Sequence, residues 1–116
     1  MSLSKIEVIT NMSKLTRLKA ALSKAGVGGM TVMHVLGCGV EKGTGEYAVN
    51  ENEEMELLPK QQINLVVETK KVPEIVELIK QELYTGHIGD GKIFVYGIDN
   101  VIRVRTGDEG SDALNH

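Results

Sequence analysis

Gln62-Ile-Asn-Leu-Val-Val67, then Pro73-Glu-Ile-Val-Glu-Leu-Ile-Lys-Gln-Glu-Leu83, then Ile93-Phe-Val-Tyr96 form a run in which the hydrophobic period changes twice. The first piece is dense in β-branched and other apolar residues, as a buried strand requires. In the second, Ile75, Val76, Leu78, Ile79 and Leu83 fall on one broad helical face. Pro73 suits the first turn of that helix, where a missing N–H costs little. The third piece returns to strand character. Strand, helix, strand is the reading for this half of the chain.

The preceding half repeats the order. Ser4 to Thr10 alternates polar and apolar residues (Lys5, Ile6, Glu7, Val8) and ends in an apolar pair, the pattern of a first strand. From Ser13 the stripe Leu15, Leu18, Ala21, Leu22, Ala25 predicts a helix, with Ser13 as N-cap and Gly26 as its C-terminal stop. Met30 to Leu36 reads as a second strand. Beyond Tyr96, Val101 to Arg105 alternates again and predicts a short fifth strand. Two β-α-β units joined by a long excursion imply an α+β domain, a ferredoxin-like βαββαβ antiparallel sheet with two helices on one face. The other face of such a sheet needs a cover. In a chain this small, sister subunits in a closed cyclic assembly are the expected one.

A length of 116 residues suits one hydrophobic core, and 41% apolar with 25% charged residues is ordinary for a soluble globular domain. No apolar run approaches the roughly 18 residues of a membrane span, and the N-terminus lacks a basic segment followed by an apolar core. A cytoplasmic location is the expectation. Cys38 is the single cysteine, which excludes an internal disulfide and a cysteine metal cluster. A net charge of −3 and only 3% aromatic residues argue against nucleic acid as a partner.

Chemistry concentrates in Thr85-Gly-His-Ile-Gly-Asp-Gly-Lys-Ile-Phe-Val95 and in Arg103-Val-Arg105-Thr-Gly107. Gly86, Gly89 and Gly91 allow backbone N–H groups to approach an anion, and consecutive N–H groups in a turn form a concave nest. Lys92 follows the last glycine directly. Arg103 and Arg105, two apart in an alternating run, would share one face of a strand, and planar guanidiniums suit bidentate phosphate contacts. The conjunction reads as a phosphate site, although the spacing is not that of a Walker loop. The excursion from Cys38 to Pro59 is the second informative region, since a connection longer than about 12 to 15 residues in a compact domain is usually functional or disordered. Glu41, Glu46, Glu51, Glu53, Glu54 and Glu56 stand there against Lys42 alone, which suits a projecting arm for a basic partner.

On these residues the chain resembles the PII signal-transduction family, small cytoplasmic trimers that sense adenine nucleotides and often 2-oxoglutarate. The carrying segments are the glycine run 85–95 and Val101-Ile-Arg-Val-Arg-Thr-Gly107, together with Gly29-Met-Thr-Val32, Gly37, Gly39 and Leu58-Pro-Lys60. The resemblance implies a homotrimer with ATP or ADP in clefts between subunits. Thr31, Gly37, Val66 and the backbone near Gly29 would hold the adenine and ribose side, and Gly39 also belongs to the nucleotide site. Gly89, Asp90, Gly91, Lys92, Arg103 and Arg105 would hold the phosphates, with magnesium, where present, carried by them. The 38–59 excursion corresponds to the loop that docks a transporter, an enzyme or a transcription-related protein. Glu41 and Lys60 belong to its effector region, and 108–116 is the tail.

Four positions depart from that picture. Where the family commonly has Arg-Gln, this chain has Val40-Glu41, which removes a cation from the terminal phosphate and a 2-oxoglutarate ligand. A like-charge pair at about 4 Å costs roughly 4 kcal/mol at an effective dielectric near 20, so Glu41 argues against ordinary 2-oxoglutarate sensing. Glu53 stands where some members carry a modified tyrosine, and Val49 where many carry a docking arginine. The expected function is therefore a regulator, not an enzyme, with an altered output loop. The alternatives are a sensor of another small anion such as bicarbonate, with AMP or ADP, and a small phosphate-ester or acyl-phosphate hydrolase using Asp90, His87 or Glu41.

Overall fold

A computed structural model of the chain describes residues 2–39 and 56–114. Four strands and two helices follow in the order β1 (Leu3–Thr10), α1 (Leu15–Lys24), β2 (Thr31–Gly39), β3 (Glu56–Glu68), α2 (Val72–Leu83), β4 (Lys92–Ile98). They form one antiparallel sheet in the order β2-β3-β1-β4. That is the α+β, ferredoxin-like arrangement expected from the two β-α-β units, with each crossover helix on the same face.

Register explains which side chains meet the helices. Ile6 and Val8 of β1 sit opposite Leu65 and Ile63 of β3, and all four are essentially inaccessible to solvent. Against this strip α1 presents Leu18 and Leu22, and α2 presents Ile75, Ile79 and Leu83. Fully burying one such side chain contributes about 1.5–3 kcal/mol, so this double row supplies most of the driving force for folding. The strand itself begins one residue earlier than Ser4, at Leu3, which pairs with Glu68.

Helix boundaries depart from the sequence reading in one respect. Asn11, not Ser13, caps the first helical segment: its Oδ1 accepts from the Ser13 amide, and a 3-10 turn over Met12–Lys14 leads into α1. The Ser13 hydroxyl donates to the same oxygen, so two donors share one acceptor. Gly26 ends α1 with φ +87°, a conformation that glycine adopts without strain. Pro73 lies in the first turn of α2.

The largest departures are at the end of β2, the start of β3 and after β4. β2 and β3 continue to the pair Gly39 and Glu56, so Cys38, Gly39 and Glu56–Pro59 are strand where the long connection was expected to have begun. Val40, Glu41, Glu46, Tyr47, Val49, Glu51, Glu53 and Glu54 lie outside the described residues. The expected fifth strand over Val101–Arg105 does not form. Only an isolated bridge joins Ile102 to Glu109. The Arg103 amide donates to the Asp108 carbonyl and the Gly107 amide to the Arg103 carbonyl, so a local turn consumes the backbone groups a strand would offer. Arg103 and Arg105 therefore do not share a strand face.

Candidate functional site

The glycine run 85–91 is tied to the end of β1 by backbone and buried side chains. The Thr10 hydroxyl donates to the Asp90 carbonyl at 2.9 Å, and the Asn11 amide donates to the Gly89 carbonyl at 3.2 Å. Gln61 in turn donates to the Asn11 carbonyl at 3.0 Å. Thr10 and Gln61 are each 1% exposed, and among the described residues no buried side-chain nitrogen or oxygen lacks a partner. Gly89 and Gly91 adopt φ +102° and +103°. A Cβ on Gly91 would stand 2.1 Å from the Ile9 carbonyl oxygen. Close contact with β1 alone thus requires glycine at 91, whatever the loop binds.

Asp90 closes this loop internally. Its carboxylate accepts from the Thr85 hydroxyl, from the Thr85 amide at 2.8 Å and from the Gly86 amide at 3.0 Å. The Thr85 hydroxyl, then the Thr85 and Gly86 amides, hold the Asp90 carboxyl below its ordinary range. With those donors taken, the Asp90 carboxylate is a scaffold for the loop, and what remains outward at this end is backbone and cations. Lys60 supplies one of them. Its stem lies 3.1 Å from the position of a Gly37 Cβ and its Nζ 3.8 Å from that of a Gly89 Cβ. Lys60 thereby bridges two segments far apart in sequence, Gly37 on β2 and the glycine loop. Lys92 opens β4 beside them, paired with Ile9 and exposed.

The arginines are elsewhere. β4 runs from Lys92 beside the glycine loop to Ile98 beside Leu3, about 20 Å at roughly 3.3 Å per residue. Arg103 follows beyond that far end. There it lines an open cavity of about 870 Å³ with Gly29, Thr31, Val66 and Arg105. Lys5 and Lys71 also line it, as does the C-terminal 3-10 turn through Ser111–Leu114. At its rim the Lys70 ammonium, 3.3 Å from Glu68, holds the Glu68 carboxyl below its ordinary range, and the Ser111 hydroxyl adds to the effect. The Arg103 guanidinium donates to Asp108 at 2.9 Å and to the Asp112 carbonyl at 2.9 Å. Its side chain is 20% exposed, whereas Arg105 is exposed.

The residues expected to form one site thus fall into two groups at opposite ends of the sheet. Gly37, Lys60, Gly89, Asp90, Gly91 and Lys92 gather at one end, with Gly39 two residues along β2 from Gly37. Gly29, Thr31, Val66, Arg103 and Arg105 gather at the other. A single chain does not bring the glycine loop and the arginines together, contrary to what their closeness in sequence suggested. Glu41 lies outside the described residues. Sequence reasoning missed Thr10, Asn11 and Gln61, which position the loop, and Asp108, which holds Arg103. Asn11 carried a signal, a capping residue just before a helix; Gln61 and Asp108 carried none. Among the described residues no cluster of histidine, cysteine and carboxylate could hold a metal, and no helix is long and apolar enough to cross a membrane.

Comparisons with known proteins agree with this architecture. The family model described as Nitrogen regulatory protein P-II matches residues 3–108. The chain is 44% identical over 112 residues to the nitrogen regulatory protein P-II of Rhodospirillum rubrum, covering 97% of this chain and 100% of that one. With the P-II protein of Pasteurella multocida the identity is 42%, with the same coverage. Among solved structures, B. subtilis GlnK in complex with ATP superposes with a TM-score of 0.83 at 38% identity, over 97% of this chain and 98% of that chain. Arabidopsis thaliana PII bound to citrate gives 0.78 at 32%, over 98% and 91%. Relatives named as nitrogen regulatory proteins make this chain a regulatory signalling protein and not an enzyme. With its βαββαβ sheet and its glycine and arginine segments matched over nearly the whole length, the chain belongs to the nitrogen regulatory protein P-II family.

Proposed function

We propose that the protein is a homotrimeric nucleotide sensor in which ATP or ADP bridges the glycine-loop end of one subunit and the arginine end of its neighbour. One observation carries this reading: the two half-sites lie about 20 Å apart along β4 in one chain, too far for one phosphate group to touch both. Each half is incomplete alone. The glycine end offers backbone N–H groups, Lys60 and Lys92 but no guanidinium. The arginine end offers two guanidiniums and a cavity of about 870 Å³, large enough for a nucleoside. A cyclic assembly sets unlike ends against each other at every interface, which makes one complete cleft per subunit.

The B. subtilis relative solved as a GlnK–ATP complex supports adenine nucleotide as the ligand, and the Arabidopsis relative solved with citrate supports a small carboxylate as a further occupant in the family. In the cleft, Lys92, Lys60, Arg103 and Arg105 bind and orient the phosphates through charge-assisted contacts, and magnesium would ride on those phosphates. Glu41 and the other glutamates of the 38–59 segment give that segment a strongly acidic character, suited to a partner with a basic docking face. Nucleotide changes that output only by binding one loop state better than another. The regulated partner is a transporter, enzyme or transcription-related protein of nitrogen metabolism. Calorimetric titration of the purified protein with ATP, ADP and AMP, each with and without magnesium and 2-oxoglutarate, tests the reading. Saturable ATP or ADP binding that 2-oxoglutarate does not enhance is expected. Absence of binding by every adenine nucleotide overturns it.

A further inference from the structure

The Arg103 guanidinium spends its donors on acceptors of its own chain. Its Nη1 donates to the Asp108 carboxylate at 2.9 Å and its Nη2 to the Asp112 carbonyl at 2.9 Å. Thr106 adds a longer contact to Nη1 at 3.4 Å and also donates its hydroxyl to Asp108 at 2.9 Å. A guanidinium has five N–H donors in a fixed plane, and its in-plane fork is the part a phosphate uses bidentately. One arm of that fork already holds a carboxylate, and the other holds the carbonyl of a turn whose residues 111–114 form one wall of the same cavity.

We propose that the C-terminal segment from Asp108 to Leu114 is an intramolecular competitor for Arg103, with the Asp108 carboxylate occupying the place a ligand phosphate takes. The inference rests on the nucleotide reading above and concerns how that site is regulated. Phosphate binding at Arg103 requires the guanidinium to exchange Asp108 for the ligand. Losing that contact, and the Asp112 carbonyl with it, detaches the turn 110–114 from the cavity wall. Arg105, exposed and outside this network, offers a guanidinium without the exchange and so makes the first contact. Nucleotide affinity is then set partly by the tail, and nucleotide occupancy is reported at the C-terminus as well as through the long loop. The competing pair is partly open to water, the Asp108 side chain being 46% exposed, so its influence is modest and salt-dependent.

Two measurements on the full chain test this. In the first, ATP is titrated into the wild-type protein and into Asp108→Asn, which keeps the shape and removes the competing charge. The variant should bind about two- to fivefold more tightly, the range of an exposed ion pair, and the gain should shrink at high salt. In the second, amide hydrogen exchange over residues 107–114 is compared in wild-type protein with and without saturating ATP. Faster exchange in the bound state is expected, and it does not depend on how the variant folds. Equal or weaker binding by a folded Asp108→Asn variant, or slower exchange over 107–114 with ATP, overturns the competitor while leaving the nucleotide site standing. Failure of wild-type and variant alike to bind ATP overturns both.

Discussion

The two ends of the sheet hold their candidate ligand groups by different means. At the glycine-loop end, position is fixed by backbone geometry: Gly91 lies against the Ile9 carbonyl, and Thr10, Asn11 and Gln61 form a relay of hydrogen bonds that is largely buried. At the arginine end, position is fixed by side-chain pairing near the surface, where Arg103 holds the turn that follows it through Asp108 and Asp112. The first kind of construction tolerates little change. The second exchanges partners at small cost. In a sensor this division is useful, since one rigid wall sets where the ligand sits while the adaptable wall registers that it has arrived.

Substitutions can break that contrast. The largest effect is expected for Gly91→Ala, where a Cβ would meet backbone at 2.1 Å in a φ of +103°; a loss of about 3–5 kcal/mol should appear as a much lower urea midpoint or as failure to fold. Arg103→Ala is expected to act on binding instead. Loss of a charge-assisted contact worth about 1.5–3 kcal/mol weakens ATP binding at least tenfold by calorimetry, while the unfolding free energy from urea titration falls by about 1 kcal/mol or less. Gly107→Ala sharpens the comparison with Gly91. Its φ is +76° but a Cβ there meets nothing within 4 Å, so only the backbone term of about 1–2 kcal/mol remains.

A smaller effect follows from Asp90. Its carboxyl is held below the ordinary value of 3.8, chiefly by the Thr85 hydroxyl. A lowered folded value means that the contribution is fully present above the unfolded value and is lost as pH falls through the folded one. The Asp90 carboxyl carbon resonance should therefore stay at its ionised position from neutral pH down to about 4 and titrate only below it. A transition above pH 5 would show that Asp90 does not close the loop.

Most of the fold was legible because hydrophobic period is local information. Leu18 and Leu22, or Ile75, Ile79 and Leu83, announce a helical face from spacing alone. Val101–Arg105 misled for the same reason: five alternating residues satisfy a strand pattern, but the outcome was decided by the Asp108 contacts and the Gly107 turn, which period cannot see. Ser13 lost the cap to Asn11 because both are good capping residues two positions apart, and a leading 3-10 turn shifted the start. The site residues were legible as types and segments, but their division between two ends of the sheet was not. That division depends on β4 carrying the chain about 20 Å between Lys92 and Ile98, a distance hidden in a sequence where the two segments are neighbours.

The account's central claim is that a complete nucleotide site needs the glycine end of one subunit and the arginine end of another. Co-expressing Lys92→Ala subunits with Arg103→Ala subunits, each lacking one half, tests it most directly by calorimetric titration of the mixed protein with ATP. Each parent alone should bind weakly at every cleft, whereas random trimers of the two should regain wild-type affinity in about a quarter of their clefts, where the intact halves face each other. A mixture that binds no better than either parent, although subunits are shown to have mixed, would contradict the bridging site.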